Sequence, residues 1–217
     1  MSKKRIKNSN AAKTANNLKP AVEALRRGDV VVFPTETLYG LGADALNPEA
    51  VQKVFSLKGR DPLNPIPVII ADEAMLQDLV TDVPDLARDL MQRFWPGPLT
   101  IVLPGRKDIP KPLLNVSGGI GVRISGEPTA TNLVKALGRP ITATSANPSG
   151  KEPARTLHRA KNYFLGNIEI FLNGGTLTSK TGSTVVEVAA EKIKIIREGE
   201  VKKRQLGQVV GEEKIRP

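Results

Sequence analysis

Lys58-Gly59-Arg60 places two cations at the end of a stretch in which Val51, Val54 and Phe55 recur at helical spacing. Lys58 continues that series, so its ammonium would close a core-facing stripe. A charge in that position must find an anionic partner or stay partly desolvated. Lys58 therefore reads as aimed at a ligand. The plainer alternative is a C-terminal lysine that complements the helix dipole and snorkels to water. Upstream, Pro34-Thr35-Glu36-Thr37-Leu38-Tyr39-Gly40-Leu41-Gly42 follows the apolar run Val30-Val31-Val32-Phe33, which reads as a buried strand. Thr35, Thr37 and Tyr39 would then line the C-terminal mouth of that strand, where open α/β sheets bind ligands.

Further polar motifs fall at equivalent places, the exit of a strand or the turn into the next helix. They are Ser117-Gly118-Gly119, Ser145-Ala146-Asn147 and Ser183-Thr184, joined by Arg123 and Arg197 on strands and by Arg155. Loops so arranged can converge on one concavity. Their inventory is hydroxyls, glycine-exposed backbone N–H groups and cations. Such groups hold phosphates and a carboxylate: arginine grips oxyanions with two donors, lysine acts as a point charge, and glycine lets the backbone come close. Other chemistries are excluded. There is no cysteine and one histidine, His158, so thiolate and multi-histidine metal sites are absent. Neither a Gly-x-x-x-x-Gly-Lys-Ser/Thr loop nor a Gly-x-Gly-x-x-Gly turn follows the first strand.

The elements that must position these residues can be read in order. A helix is expected from Lys19 to Arg27, stopped by Gly28, then a strand over 29–33. Asn47 and Pro48 open a helix to Leu57. Ile66 to Ile70 reads as a strand, which Pro67 confines to an edge or a strand start. Helical stretches follow at 71–80 and 84–94, the second capped by Asp82. The turn Phe94-Trp95-Pro96-Gly97-Pro98, read as a packed corner, leads into a strand at 99–103. Strands at 120–124 and 140–144 flank a helix over 129–137, and a helix at 156–164 carries His158 on its surface. The chain then becomes strand-rich, at 168–172, 183–188 and 192–196. The fold class is α/β, a twisted open mixed sheet with flanking helices.

The chain has 217 residues, a net charge of +10 and a quarter of its residues charged. Six basic and no acidic residues lie in 1–20, eight basic and four acidic in 192–217, and the body between is balanced. Residues 1–17 read as a disordered basic tail, 18–200 as the folded unit and 201–217 as a basic C-terminal tail. Basic ends suggest salt-sensitive contact with nucleic acid or, equally, solvated segments that aid solubility. No apolar run is long enough for a membrane span and no secretory signal is visible, so a cytoplasmic setting is expected.

The motifs together resemble one family. Pro34-Thr-Glu-Thr-Leu-Tyr-Gly-Leu-Gly42, Lys58-Gly-Arg60, Phe94-Trp-Pro-Gly-Pro-Leu-Thr100, Arg123, Ser145-Ala-Asn-Pro-Ser-Gly150 and Ser183-Thr-Val-Val186 occur in the order of the YrdC-type L-threonylcarbamoyl-AMP synthases. The resemblance covers about Lys19 to Gly199 and implies a YrdC-like twisted sheet with a concave basic face. It implies a nucleotidyltransferase reaction in which L-threonine, bicarbonate and ATP, with magnesium, give threonylcarbamoyl-AMP and pyrophosphate. A partner transferase complex would then modify tRNA. By the same resemblance Lys58 and Arg60 are catalytic, and Lys58, Arg60, Asn64, Gly119, Ser145, Asn147, Arg155 and Arg197 surround ATP. Thr35, Thr37, Tyr39, Arg123, Ser145 and Ser183 hold threonine, and no protein side chain is assigned to a metal. Asp61 stands where the family usually has proline, which points toward the YciO paralogue branch, and Ile69 replaces a histidine of longer members. The rivals are a YciO-like role, a double-stranded RNA or tRNA binder in ribosome maturation, and a carbamoyl-transfer module.

Overall fold

The computed structural model of the protein describes residues 18–216, so the expectation for 1–17 lies outside the described residues. Helix α1 spans 18–26 and leads into strand β1, Val31–Phe33. The chain turns through the Pro34–Tyr39 motif and returns as β2, Gly40–Gly42, antiparallel to β1. This second strand is not among the elements expected from the sequence. Its glycines are required by packing, because a Cβ at Gly42 would sit 2.9 Å from the Phe33 ring.

Helix α2, Pro48–Lys58, forms where its caps dictate. Asn47 Oδ1 accepts from the backbone N–H groups of Glu49 and Ala50 at 3.0 and 3.2 Å, and Pro48 starts the first turn without needing a partner. Gly59 ends it at φ +56°, a left-handed conformation that only glycine adopts cheaply, and Arg60 N–H reaches back to Phe55 O at 3.1 Å. Capping by about 1 kcal/mol at each end thus fixes the direction in which Lys58 and Arg60 leave the helix.

Strand β3 (Val68–Ile69), helix α3 (Asp85–Phe94), strand β4 (Leu99–Pro104) and strand β5 (Gly119–Arg123) follow. Residues 73–78 between them are a 3₁₀ turn rather than an α-helix. Asp82 makes no cap, since the position before α3 is taken by Pro84 without a side-chain bond. Trp95 packs at the corner, its Nε1 donating to Leu99 O at 2.7 Å, and the Trp95–Pro96 peptide is cis. Helix α4 (Pro128–Leu137) precedes two short strands, β6 (Ile141–Thr142) and β7 (Thr144–Ser145). Helix α5 (Leu157–Phe164), β8 (Ile170–Phe171), β9 (Thr184–Ala189) and β10 (Lys192–Arg197) complete the expected elements.

One open sheet was expected, and the strands form two mixed sheets instead. Four strands run in the order β7-β2-β1-β8; the other seven run β11-β10-β9-β4-β5-β3-β6, where β11 is Ile215–Arg216. The expected strand at 140–144 is broken at Ala143, and its halves belong to different sheets. Pro67 only starts β3, which lies inside its sheet between β5 and β6. The fold also continues past residue 200, where a tail was expected. Helix α6, Lys203–Val210, buries Leu206 and Val210, and β11 pairs in parallel with β10. The apolar core lies between the sheets and these helices. Leu90, Leu99, Ile101 and Val122 are fully buried in it, so Leu90→Ala would cost about 2–5 kcal/mol.

Candidate active site

The two sheets meet where their polar loops meet. From the four-stranded sheet come Thr35, Thr37 and Tyr39, between β1 and β2, and Ser145 at the end of β7. From the seven-stranded sheet come Arg123 at the end of β5, Ser183 before β9 and Arg197 at the end of β10. With Arg60 these side chains line one hollow of about 350 Å³. A second hollow of about 220 Å³ adjoins it through Arg60, Pro67 and Arg197, and is lined by Asn64, Asn115, Gly119, Gly121 and the apolar Val102 and Ile196.

The hydroxyls are held in place locally. Thr35 Oγ1 donates to Leu38 O at 2.7 Å, lies 3.0 Å from Thr37 Oγ1 and receives the N–H groups of Thr37 and Leu38. The motif is thus a self-bonded turn that fixes its own threonines. Ser183 Oγ is 2.9 Å from the buried Thr100 hydroxyl. Tyr39 donates to Gly175 O at 2.8 Å and accepts from Gly174 N at 2.9 Å, and burial pushes its phenol up. Its hydroxyl secures a neighbouring loop while the ring walls the hollow.

Three guanidiniums surround this space. Arg60 Nε donates to Asn64 O at 2.7 Å and its Nη2 to Pro65 O at 3.2 Å. Arg197 donates to Ser183 O through Nε at 3.2 Å and Nη2 at 2.8 Å. Arg123 is buried and ion-paired with Glu36. Burial lowers the proton affinity of all three; for Arg197 the charges of Arg123 and Arg60 lower it further. Cations that disfavour one another in a shared hollow are an electrostatic site for an anion.

Lys58 differs from its expected role. It is buried as the stripe predicted, but among the described residues its ammonium has no anionic partner. It donates to Ser145 O at 2.6 Å and Asn147 O at 2.7 Å, and Ser149 N returns a bond to Lys58 O at 2.7 Å. Lys58 therefore ties α2 to the Ser145-Ala146-Asn147 turn below the hollow. Burial, and then repulsion from Arg60, lowers its pKa to about 8. Asn147 is also buried beneath the wall. Its Nδ2 donates to Pro148 O and Lys151 O, and its Oδ1 is a buried acceptor without a partner among the described residues.

Two further expectations are modified. Gly119 lines the second hollow, but its N–H is already given to Asn115 Oδ1 at 2.7 Å. Arg155 is not in either hollow: it sits beside the first with Glu152 (3.5 Å), sharing only Leu38 and Pro153 as walls. Sequence reasoning missed Glu36, although it stands inside the quoted motif. Its signal was a lone carboxylate in an otherwise cationic mouth. Asn115, Thr181 and Gly182 were missed too, and nothing in their local sequence singles them out. Among the described residues no group of three or more His, Cys, Asp or Glu could hold a metal.

A family model described as "Telomere recombination", which covers Sua5, YciO and YrdC proteins, matches residues 23–199. The chain belongs to that family. It is 38% identical over 193 residues to the threonylcarbamoyl-AMP synthase of Pyrococcus abyssi, covering 89% of this chain and 57% of that protein. It is 41% identical over 195 residues to the Bacillus subtilis enzyme of the same name, covering 88% and 56%. The chain thus spans somewhat over half the length of these curated relatives. Among solved structures, P. abyssi Sua5 complexed with L-threonine superimposes with a TM-score of 0.87 at 36% identity, over 94% of this chain and 60% of the other. Escherichia coli YciO gives 0.80 at 26% identity, over 88% and 93%. The twisted mixed sheets with flanking helices are therefore the Sua5/YciO architecture.

Proposed function

We propose that this member of the Sua5/YciO/YrdC family is an L-threonylcarbamoyl-AMP synthase, a nucleotidyltransferase acting on ATP, L-threonine and bicarbonate. The observation that carries the reading is the convergence of Arg60, Arg123 and Arg197 with the hydroxyls of Thr35, Thr37 and Ser183 on one hollow, where among the described residues only Arg123 of the three is ion-paired, to Glu36. That inventory suits a polyphosphate beside an amino-acid carboxylate.

In this reading Arg60 and Arg197, shared by both hollows, hold the triphosphate. The second hollow, with Asn64, Gly119 and apolar walls, takes the nucleoside, and the first takes threonine, with Arg123 on its carboxylate. The threonine nitrogen adds to the carbon derived from bicarbonate and releases a proton and water, leaving a carbamate. A carbamate oxygen forms the new bond to the α-phosphorus while the bond to the β-phosphate bridging oxygen breaks and pyrophosphate leaves. Such a displacement depends on alignment and on neutralising charge, which fixed guanidiniums and hydroxyls supply. Lys58 acts one layer behind, holding the Ser145–Asn147 turn. Magnesium would enter with the substrate as MgATP. The product would pass in the cytoplasm to a transferase complex that modifies tRNA.

The test is mass spectrometry of nucleotide products after incubation with ATP, threonine and bicarbonate. Threonylcarbamoyl-AMP with equimolar pyrophosphate is expected. Pyrophosphate release that ignores threonine or bicarbonate would sink the proposal.

A further inference from the structure

Glu36 sits between two threonines that face the hollow, yet it does not line the hollow itself. Its carboxylate reaches away to the seven-stranded sheet, where Oε1 accepts from Arg123 Nη1 and Oε2 accepts from the buried Ser125 hydroxyl. Ser125 Oγ in turn accepts from Glu127 N at 3.2 Å, so the carboxylate is anchored to the backbone that leaves β5. Arg123 is 5% exposed, and Glu36 is the only acid within ion-pair reach of it among the described residues.

The choice of nitrogen is informative. Nη1 lies on the side of the guanidinium away from Nε–H, so a bond there leaves the Nε/Nη2 fork uncommitted. That fork grips a carboxylate with two parallel hydrogen bonds. Among the described residues neither Nε nor Nη2 of Arg123 bonds to protein, and neither counts among the buried unpartnered atoms, so both keep some access, and Arg123 lines the hollow. Arg60 and Arg197 are oriented differently: both spend Nε and Nη2 on backbone carbonyls. Their Nε/Nη2 forks are used by the protein, and what remains for phosphate oxygens is the Nη1 end of each guanidinium. Of the three, Arg123 alone keeps its Nε/Nη2 fork free among the described residues.

We infer that Glu36 is a positioning residue that, with Ser125, turns the Nε/Nη2 fork of Arg123 toward the hollow and makes it the reader of a ligand carboxylate. This rests on the amino-acid half of the function proposed above. A second effect follows from charge: the Arg123–Glu36 pair is formally neutral, so it offers directional donors without competing for the triphosphate.

Calorimetric titration of L-threonine, L-threoninol and ATP into the wild type, Glu36→Ala, Glu36→Gln and Ser125→Ala separates the possibilities. Threoninol keeps the amine and side chain but lacks the carboxylate. Glu36→Ala should weaken threonine binding by about ten- to a hundred-fold, the scale of a misaligned contact, and leave threoninol and ATP within about twofold. Glu36→Gln, which retains an acceptor for Nη1, should recover most of the threonine affinity, and Ser125→Ala should give an intermediate loss. Equal losses for threonine and threoninol would show that Glu36 merely shapes the wall, and would overturn the inference; so would a folded Glu36→Ala that binds threonine normally. Should Glu36→Ala fail to fold, the threonine-to-threoninol ratio in Glu36→Gln and Ser125→Ala decides the matter, an unchanged ratio in both counting against it. If the wild type binds ATP but neither threonine nor threoninol, the parent reading fails first and takes this one with it.

Discussion

A larger concavity than the one the polar motifs build lies elsewhere on the described residues. A groove of about 930 Å³ runs against α1, α2, α5 and β8, lined by Ala24, Val30, Leu57, Tyr163, Phe164 and Ile170 with Asp29, Glu49, Lys53 and Glu169 at its edges. It is more than twice the volume of the hollow at the junction of the sheets. The two differ in what their charges do. In the large groove Lys53 is already bonded to Gly28 O at 2.8 Å and to Asp29 at 3.3 Å, and Asp29 also meets Arg27. Those ions are exposed and mutually satisfied. In the smaller hollow three guanidiniums converge, of which among the described residues only Arg123 is ion-paired, and each is made costlier by burial. Volume records where helices fail to meet; unbalanced charge records where a ligand is expected.

The contrast can be broken most sharply by charge removal. Arg60→Ala should lower kcat/KM for pyrophosphate formation on the order of 10²–10³-fold, as loss of a preorganised charge contact does. A variant with near-normal turnover would put the reaction elsewhere. Lys58→Met should act through structure as well. Two buried carbonyls lose their donor, so unfolding in urea should show a loss of about 2–3 kcal/mol, with activity falling alongside.

The pH dependence of Lys58 sharpens the point, because its two consequences run in opposite directions. Its folded pKa of about 8 lies below the ordinary 10.5, so between those values the unfolded chain binds more protons than the folded one. Stability relative to Lys58→Met should then rise with pH across that window, the burial penalty being present below pH 8 and relieved above it. Activity should fall over the same range as the ammonium that holds the Ser145–Asn147 turn is lost. Parallel urea titrations and rate measurements from pH 7 to 10 test both signs, and a rate that holds steady to pH 10 contradicts the role given to Lys58. A smaller effect is expected for Thr100→Val, which strips Ser183 of its hydroxyl partner: about 1 kcal/mol in stability and a change confined to threonine KM. The smallest belongs to the larger groove, where Lys53→Ala should cost at most about 1 kcal/mol and leave turnover unchanged. A strong loss of activity there would reverse the ranking of the two sites.

Much of this was legible from local chemistry. Asn47, Pro48 and Gly59 announce α2 almost to the residue, and the apolar spacing that buries Val51, Val54 and Phe55 also buries Lys58. Strand-exit hydroxyls and arginines did gather, because strand ends in a layered α/β fold share a side. What escaped was non-local. Nothing near Glu36 says that its partner is Arg123, far away in sequence. Whether Lys58 would meet an anion or two carbonyls depends on where the Ser145 turn lies, a tertiary matter. The break at Ala143 is invisible because Ile141 to Ser145 carries one continuous strand-like pattern, with the change of sheet decided by the pairing partners β2 and β3. Helix α6 was hidden by its charge: Lys202, Lys203 and Arg204 dominate a segment whose Leu206 and Val210 suffice to dock it.

The crossing at Ala143 bears on mechanics. Ser145 rides with one group of strands and Arg123 with the other, so the distance between hydroxyl and guanidinium is a gauge of how the two halves tilt. A molecule gripping both would act as a strap across the joint, and its binding energy would add to the joint's resistance to opening.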